Sequence, residues 1–317
     1  MPLKLLLMMN VTLLLLFGFL FALLAAFGYY FEISGYVIVA AAVFLVFLQW
    51  LISPKIIWWT TNMRLLQRSE YPWLWEAVGK ICRKNKAPMP KLALARIGAP
   101  NAFVFGRTPG SATLVVTQGL LKNLTKDEVR AVVAHEVGHI KHNDMVVMTV
   151  VSVIPIIAYF IARYVIYAPS KDEKKSGMAL VVGLVAFLVY FITNLLVLAL
   201  SRLREYYADR FSGANTKPSL LASALAKITY GLSISSEKME NSAVRSFFIA
   251  DPLSAAKEIS QFSSEYSDFD LTDSELKKAM EWEKKNPLRR FAEFWQTHPL
   301  TYKRIAALKQ LERDMAK

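Results

Sequence analysis

Four apolar stretches, Leu5 to Phe27, Ile33 to Ile52, Met145 to Ala168 and Met178 to Leu200, set the terms on which this 317-residue chain can fold. Each runs to about 20 residues or more, enough at about 1.5 Å rise per residue to cross about 30 Å of hydrocarbon as a helix. A chain so built must satisfy its backbone inside lipid, which points to a mainly α integral membrane protein with four spans. The mean hydropathy of +0.31 and a charged fraction of only 20% agree. The first stretch is too long for a typical signal-peptide core and no small-x-small cleavage site follows it, so it reads as a retained anchor.

Charge sets the orientation. Ser53 to Asp144 holds 14 Lys and Arg against 6 acids, and the tail from Ser201 holds 19 against 16. The connection Gly28 to Glu32 has no Lys or Arg, and Lys171 to Lys175 carries three basic and two acidic residues. The positive-inside rule then puts both polar regions in the cytoplasm. The expected organisation is a membrane hairpin over residues 1–53 and a second over 145–200, with 54–144 and 201–317 as two parts of one cytoplasmic domain. The excess of 38 Lys and Arg over 25 acids, +13 in all, is read as facing anionic lipid headgroups, with the bilayer and not nucleic acid as partner. The single cysteine, Cys82, excludes a disulfide framework and any site of several thiolates.

The first polar piece opens with helix-like sequence from Trp58 to Ile81, whose Trp58, Trp59, Trp73 and Trp75 suit an interfacial belt. Three strand candidates follow: Lys91 to Arg96, Ala102 to Gly106 and Ala112 to Thr117. The last two flank Arg107-Thr108-Pro109-Gly110, turn chemistry that predicts a hairpin. Thr125 to Glu128 then forms a capping box that should start a helix.

That helix carries His135-Glu136-Val137-Gly138-His139. Histidines four apart stand one turn above each other on one face, so both can reach a single metal ion with Glu136 beside it. Neutral imidazoles are good zinc ligands, and a carboxylate next to zinc-activated water can take its proton as the water attacks a peptide carbonyl. Zinc, one per chain, is the expected cofactor. His142 reads as a surface or supporting residue and not a ligand.

A catalytic zinc needs a third protein ligand and an open position. Glu205, in Ser201-Arg202-Leu203-Arg204-Glu205-Tyr206-Tyr207-Ala208-Asp209, is the best candidate. If the third and fourth spans form an antiparallel hairpin, His139 lies 29 residues before Ala168 and Glu205 lies 28 after Gly177, nearly the same height. Helix breaks near Asn143-Asp144 or at Pro155 would loosen that register. Asp209, one turn on, either orients a ligand histidine through its free ring nitrogen or pairs with Arg202 or Arg210.

With HEVGH, SRLREYYAD, Pro100-Asn101-Ala102-Phe103, and Thr297-His298-Pro299 with Arg304-Ile305 together, the chain resembles the HtpX family of membrane-bound zinc metallopeptidases, relatives of the CAAX prenyl endopeptidases. The resemblance implies zinc ligands His135, His139 and Glu205, with Glu136 as general base and proton donor to the leaving amine. It also implies that His298 and Arg304 lie on the substrate side of the metal, in a zincin-like α+β domain with a small sheet beside the motif helix. Peptide hydrolysis builds negative charge on the carbonyl oxygen, which gives His298 a role as oxyanion stabiliser. Arg304 would hold His298 or a carboxylate in place. For both, an ordinary polar helix start with a solvated arginine is the alternative.

An extended substrate can add as a strand to an exposed edge, and the hairpin around Phe103 and Leu114 offers one, with Ala102 and Phe103 along it. Asn101 either bonds substrate backbone or simply forms the turn. The charged segment Glu237 to Pro287, with a second capping box at Thr272 to Glu275, reads as a peripheral helical insertion, with a flap over the cleft as the alternative.

Lys126, Asp127, Glu128, Arg130, Lys141 and Asp144 surround the motif, which argues against an intramembrane protease. Four spans favour the HtpX reading over a prenyl-protein endopeptidase. A membrane scaffold with structural zinc would have no need of Glu136. The expected activity is endopeptidase cleavage facing the cytoplasm, and the resemblance implies damaged or misfolded membrane proteins as substrates. The oligomeric state and the natural substrates are not readable from the sequence.

Overall fold

The structure, a computed structural model, describes residues 3–31, 35–167, 173–232 and 273–317. The segment Glu237 to Thr272 and its capping threonine lie outside the described residues. The described chain is mostly helical and divides into two units, residues 1–52 with 146–203, and 53–145 with 204–317.

The described parts of the four apolar stretches lie in α1 (Leu3–Phe31), α2 (Gly35–Thr60), α6 (Asp144–Tyr167) and α7 (Glu173–Asn215). Among the described residues, three helices are long and apolar enough to cross a membrane, over Leu7–Leu24, Asp144–Arg163 and Leu180–Asn215. Leu16 of α1 packs with Val151 and Ile154 of α6 and Val197 and Leu200 of α7, and Leu23 with Ile161 of α6 and Ala186 of α7. Pro155 sits inside α6 without ending it.

The second unit is built on a four-stranded sheet of β1 (Met63–Leu65), β2 (Lys91–Ala95), β3 (Ala102–Phe105) and β4 (Thr113–Thr117), in the order β1-β2-β4-β3. β3 and β4 form the expected antiparallel hairpin, whereas β2 and β4 run parallel, Lys91 beside Thr113 through Ala95 beside Thr117. β1, antiparallel to β2, interrupts the region Trp58 to Ile81, which is therefore not one helix. α2 ends at Thr60, Asn62 takes a left-handed φ of 43°, and a new helix, α3 (Pro72–Asn85), starts only where Pro72 supplies a preset first turn. The tryptophans separate accordingly. Trp58 and Trp59 are exposed at the end of α2, while Trp73 and Trp75 pack against the core.

Alternation along the strands gives the sheet two apolar faces. Leu92, Leu94, Ala102, Leu114 and Val116 join α3, α5 (Lys126–Lys141) and α8 (Pro218–Leu232) in one core. Ala93, Ala95, Phe103, Phe105 and Val115 form the second, against Ile57 of α2. A six-residue helix, α4 (Gln118–Asn123), leads from β4 toward α5. Beyond α8 the described chain resumes with α9 (Asp273–Lys285), α10 (Pro287–Ala292) and α11 (Thr301–Met315), the last packed on α8.

Candidate metal centre

α5 begins as its sequence requires. Thr125 Oγ1 accepts from the Glu128 N–H, and Glu128 Oε2 accepts from the Thr125 N–H at 2.8 Å. Ser223 donates to Glu128 at 2.6 Å and Lys227 lies 3.2 Å away, tying the start of α5 to α8. Burial raises the Glu128 pKa, but these bonds outweigh it and hold the carboxyl below its ordinary value.

The helix ends at Lys141, and Asn143, at φ 57°, turns the chain before α6 starts at Asp144. The break anticipated near Asn143-Asp144 is therefore present, and it returns Asp144 to His139. His139 Nδ1 and Asp144 Oδ2 are 2.6 Å apart. Asp144 is itself gripped by Arg204, whose guanidinium also donates to the His142 carbonyl. His142 caps the helix, with its ring edge-on to Tyr207 and Phe211, and is not in the metal-ligating group.

The C-terminal part of α7 lies directly against α5. Gly138 makes this approach possible, because a Cβ there would sit 3.2 Å from Ala208 Cα and from Phe211 Cβ. Ser212 donates to the Ala131 carbonyl at 2.6 Å and fixes the register. Glu205 is thereby brought to the two histidines. His135 Nε2 and His139 Nε2 are 3.1 Å apart, and Glu205 Oε2 and Oε1 lie 3.5 and 3.4 Å from them respectively.

The outer nitrogens face carboxylates. His135 Nδ1 lies 3.0 Å from Asp209 Oδ1, somewhat off the line of a hydrogen bond, as His139 Nδ1 faces Asp144. Asp209 is not paired with Arg202 or Arg210 in this arrangement. It accepts from Arg304 Nε at 2.8 Å and Nη2 at 2.6 Å, while Arg304 Nη1 reaches Glu205 Oε2 at 3.0 Å. Arg304 is 1% exposed, its guanidinium held between the two carboxylates. His298 Nδ1 lies 3.1 Å from Glu205 Oε2, and neither ring nitrogen makes a hydrogen bond.

Burial opposes protonation of His135, but Asp209 and Glu205 raise its pKa. His139 is pushed further up against the same burial by Asp144 and Glu205. Burial lifts the Glu136 carboxyl above its ordinary value, with His139 and His135 pulling the other way. The Arg304 pKa is raised despite burial by Asp209 and Glu205.

Three donor atoms facing one another fit a shared cation. Two donors about 2.0–2.1 Å from a tetrahedral ion stand about 3.3–3.4 Å apart, close to the separation of the two Nε2 atoms and to that of each from its own nearest Glu205 oxygen. Charge points the same way. Glu136, Asp144, Glu205 and Asp209 are all buried, as are Arg204 and Arg304, so with the imidazoles neutral, as ligation requires, and the carboxyls ionised, four formal negative charges meet two positive ones. A divalent ion closes that deficit in a site where unpaired charge is costly. With carboxylates at both Nδ1 atoms, the Nε2 lone pairs are free to ligate.

The residues singled out for substrate are differently placed. Asn101 is fully buried, and its N–H donates to Thr117 Oγ1 at 2.9 Å. Ala102 and Phe103 are buried in β3, paired with Val116 and Val115. β3 is an edge strand, so its backbone and not these side chains is what an extended peptide would meet. Leu114 belongs to β4, an interior strand, and offers no edge.

Asp144 and Arg204 were not anticipated as site residues. Asp144 reads in sequence as one of several charges flanking the motif, although its position just after an asparagine suited to a left-handed turn is a usable signal. Arg204, adjacent to Glu205, has no such mark.

Residues 68–312 match the profile described as "Peptidase family M48". A protein named "Protease HtpX homolog" from Methanothermobacter thermautotrophicus is 42% identical over 232 residues, 73% of this chain and 88% of that one. One of the same name from Pyrococcus abyssi is 33% identical over 310 residues, covering 95% of both chains. The crystal structure of Ste24p from S. mikatae aligns with a TM-score of 0.53 at 18% identity, over 95% of this chain. This chain spans 65% of the length of that one, and the likeness is one of fold.

Proposed function

The chain belongs to peptidase family M48, and from that premise we propose that it is a zinc endopeptidase whose ion, one per chain, is held by His135, His139 and Glu205. Its relatives are HtpX-type metallopeptidases, so it is a membrane protease acting on peptide substrates. The observation that carries the zinc reading is the convergence of those three residues, the two Nε2 atoms 3.1 Å apart and each within 3.5 Å of a Glu205 oxygen, in a buried cluster rich in carboxylates.

Zinc bound there supplies a Lewis acid that makes water a nucleophile near neutral pH and polarises the scissile carbonyl. The side chains do the rest. Glu136, buried beside both imidazoles, takes the proton of the attacking water and delivers it to the leaving amine; its raised pKa suits a group that must both accept and return a proton. Asp209 and Asp144 keep the Nδ1 protons on His135 and His139. Arg304 positions Asp209 and Glu205. His298, with ring nitrogens not engaged in hydrogen bonds, donates to the carbonyl oxygen as it gains charge. An extended substrate lies along the β3 edge near Asn101, Ala102 and Phe103, held by its main chain.

The fuller reading has four spans in two hairpins, residues 1–53 and 145–200, with 54–144 and 201–317 forming the cytoplasmic peptidase domain. It rests on the basic excess of both polar regions. Damaged or misfolded membrane proteins are the proposed substrates, since a peptidase that binds main chain at the bilayer surface is suited to unfolded segments emerging from it.

The test is Glu136→Gln in detergent-purified protein. The variant should retain zinc and lose casein cleavage by at least about a hundredfold, within the usual contribution of acid-base catalysis. Cleavage at the parental rate would refute the role of Glu136.

A further inference from the structure

The second face of the sheet carries a cleft that the peptidase chemistry does not use. Strand alternation turns Leu65, Lys91, Phe105 and Thr113 toward the last two turns of α2, where Pro54, Lys55, Trp58 and Trp59 form the opposite wall. The cleft has a volume of about 460 Å³, within the usual range for small-molecule sites of about 300–1,000 Å³. Its walls are largely aromatic and aliphatic, yet three cationic side chains, Lys55, Lys91 and Arg107, belong to it. Among the described residues, no Asp or Glu lines it.

We propose that this cleft binds the phosphate headgroup of an anionic membrane lipid, with Lys55, Lys91 and Arg107 around the phosphate and the start of the lipid chains against Trp58, Trp59 and Phe105. Two observations favour a lipid over a soluble anion. First, α2 runs as one helix from the second apolar stretch, proposed above as a span, to Thr60, so the wall that it forms continues that stretch within about two turns. Tryptophans near the end of such a stretch are the usual side chains of the lipid headgroup depth. Second, a free phosphate would engage the cations but leave the aromatic surface wet; Trp59 is 78% exposed and Leu65 50%. The charge and the apolar surface are used together only by a ligand that has both.

The inference is independent of zinc and of the peptidase reaction. Its test is native mass spectrometry of the full-length protein released from neutral detergent, titrated with phosphatidylglycerol or phosphatidylcholine, with inorganic phosphate as competitor. Lys55→Gln with Lys91→Gln removes two exposed cations from the cleft. Lys122→Gln with Lys309→Gln removes two exposed cations elsewhere. Each basic residue at a membrane surface contributes about fivefold in affinity, so the cleft pair should weaken phosphatidylglycerol binding about 25-fold and the distant pair hardly at all. One saturable phosphatidylglycerol per chain, preferred over phosphatidylcholine and lost with the cleft pair, supports the site. Equal retention of the two lipids, an equal effect of the two double variants, or displacement by millimolar phosphate would each overturn it.

Discussion

Replacing Asp144 by Asn should weaken zinc binding while leaving all three ligands in place. In the parent, His139 Nδ1 faces an ionised carboxylate at 2.6 Å, a charge-assisted bond that fixes the tautomer and makes Nε2 a stronger donor. An asparagine oxygen can still accept that proton, but as a neutral partner. Hydrogen bonds to charged groups contribute about 1.5–3 kcal/mol and neutral ones about 0.5–1.5, so the loss is about 1–2 kcal/mol, or about five- to thirtyfold in affinity. The substitution also leaves Arg204 buried without its carboxylate, which costs about 3–5 kcal/mol in a site that dry. The two effects separate in the assay. Unfolding midpoints without metal report the Arg204 cost, and competition against a chromophoric chelator below those midpoints reports affinity. A variant that binds zinc as tightly as the parent would refute the idea that Asp144 tunes His139, whatever its melting temperature.

Other outcomes follow from neighbouring contacts. Gly138→Ala must open the 3.2 Å approach to Ala208 and Phe211 by a few tenths of an ångström. Overpacking of this kind costs about 1–3 kcal/mol, and because the same helices carry His135, His139 and Glu205, both the melting temperature and zinc affinity should fall; parental values of both would contradict this packing. Glu128→Gln loosens the start of α5 and the tie to α8, at a cost of about 0.5–2 kcal/mol at pH 7. Since the folded-state pKa of Glu128 is depressed, that stabilisation is present above the unfolded glutamate pKa of about 4.3 and lost as pH falls through the lower folded value. The gap between parent and variant melting temperatures should therefore close below about pH 4, and a constant gap would argue against the ionised form being the stabilising one.

The parts of the fold that rest on local pattern were legible in the sequence. The capping box at Thr125 and Glu128 starts a helix because its partners are three residues apart, and the hairpin of β3 and β4 follows from the turn at Arg107 to Gly110. β1 was not legible. Its three residues become a strand only by pairing with Ala93 to Ala95, and that partner lies about thirty residues away behind an intervening helix. The count along two apolar stretches pointed to Glu205, although the break at Asn143 interrupts the constant helical rise on which that count relied. Arg304 was different: 95 residues separate it from Asp209, and no periodicity links them. Only the resemblance pointed to it, and only the structure shows that its guanidinium lies between Asp209 and Glu205 instead of facing outward. Asp144 was missed because its function depends on a single left-handed residue, Asn143, that reverses the chain after the helix.

The central claim is that three side chains hold one catalytic dication. It is tested most directly by measuring zinc content per chain alongside casein cleavage, in the parent and in Glu205→Ala, through a cycle of chelation and zinc return. The account predicts one zinc per parent chain, cleavage lost with the metal and recovered with it, and neither in the variant. Full cleavage by metal-free parent, or one tightly held zinc in Glu205→Ala with activity intact, would contradict it.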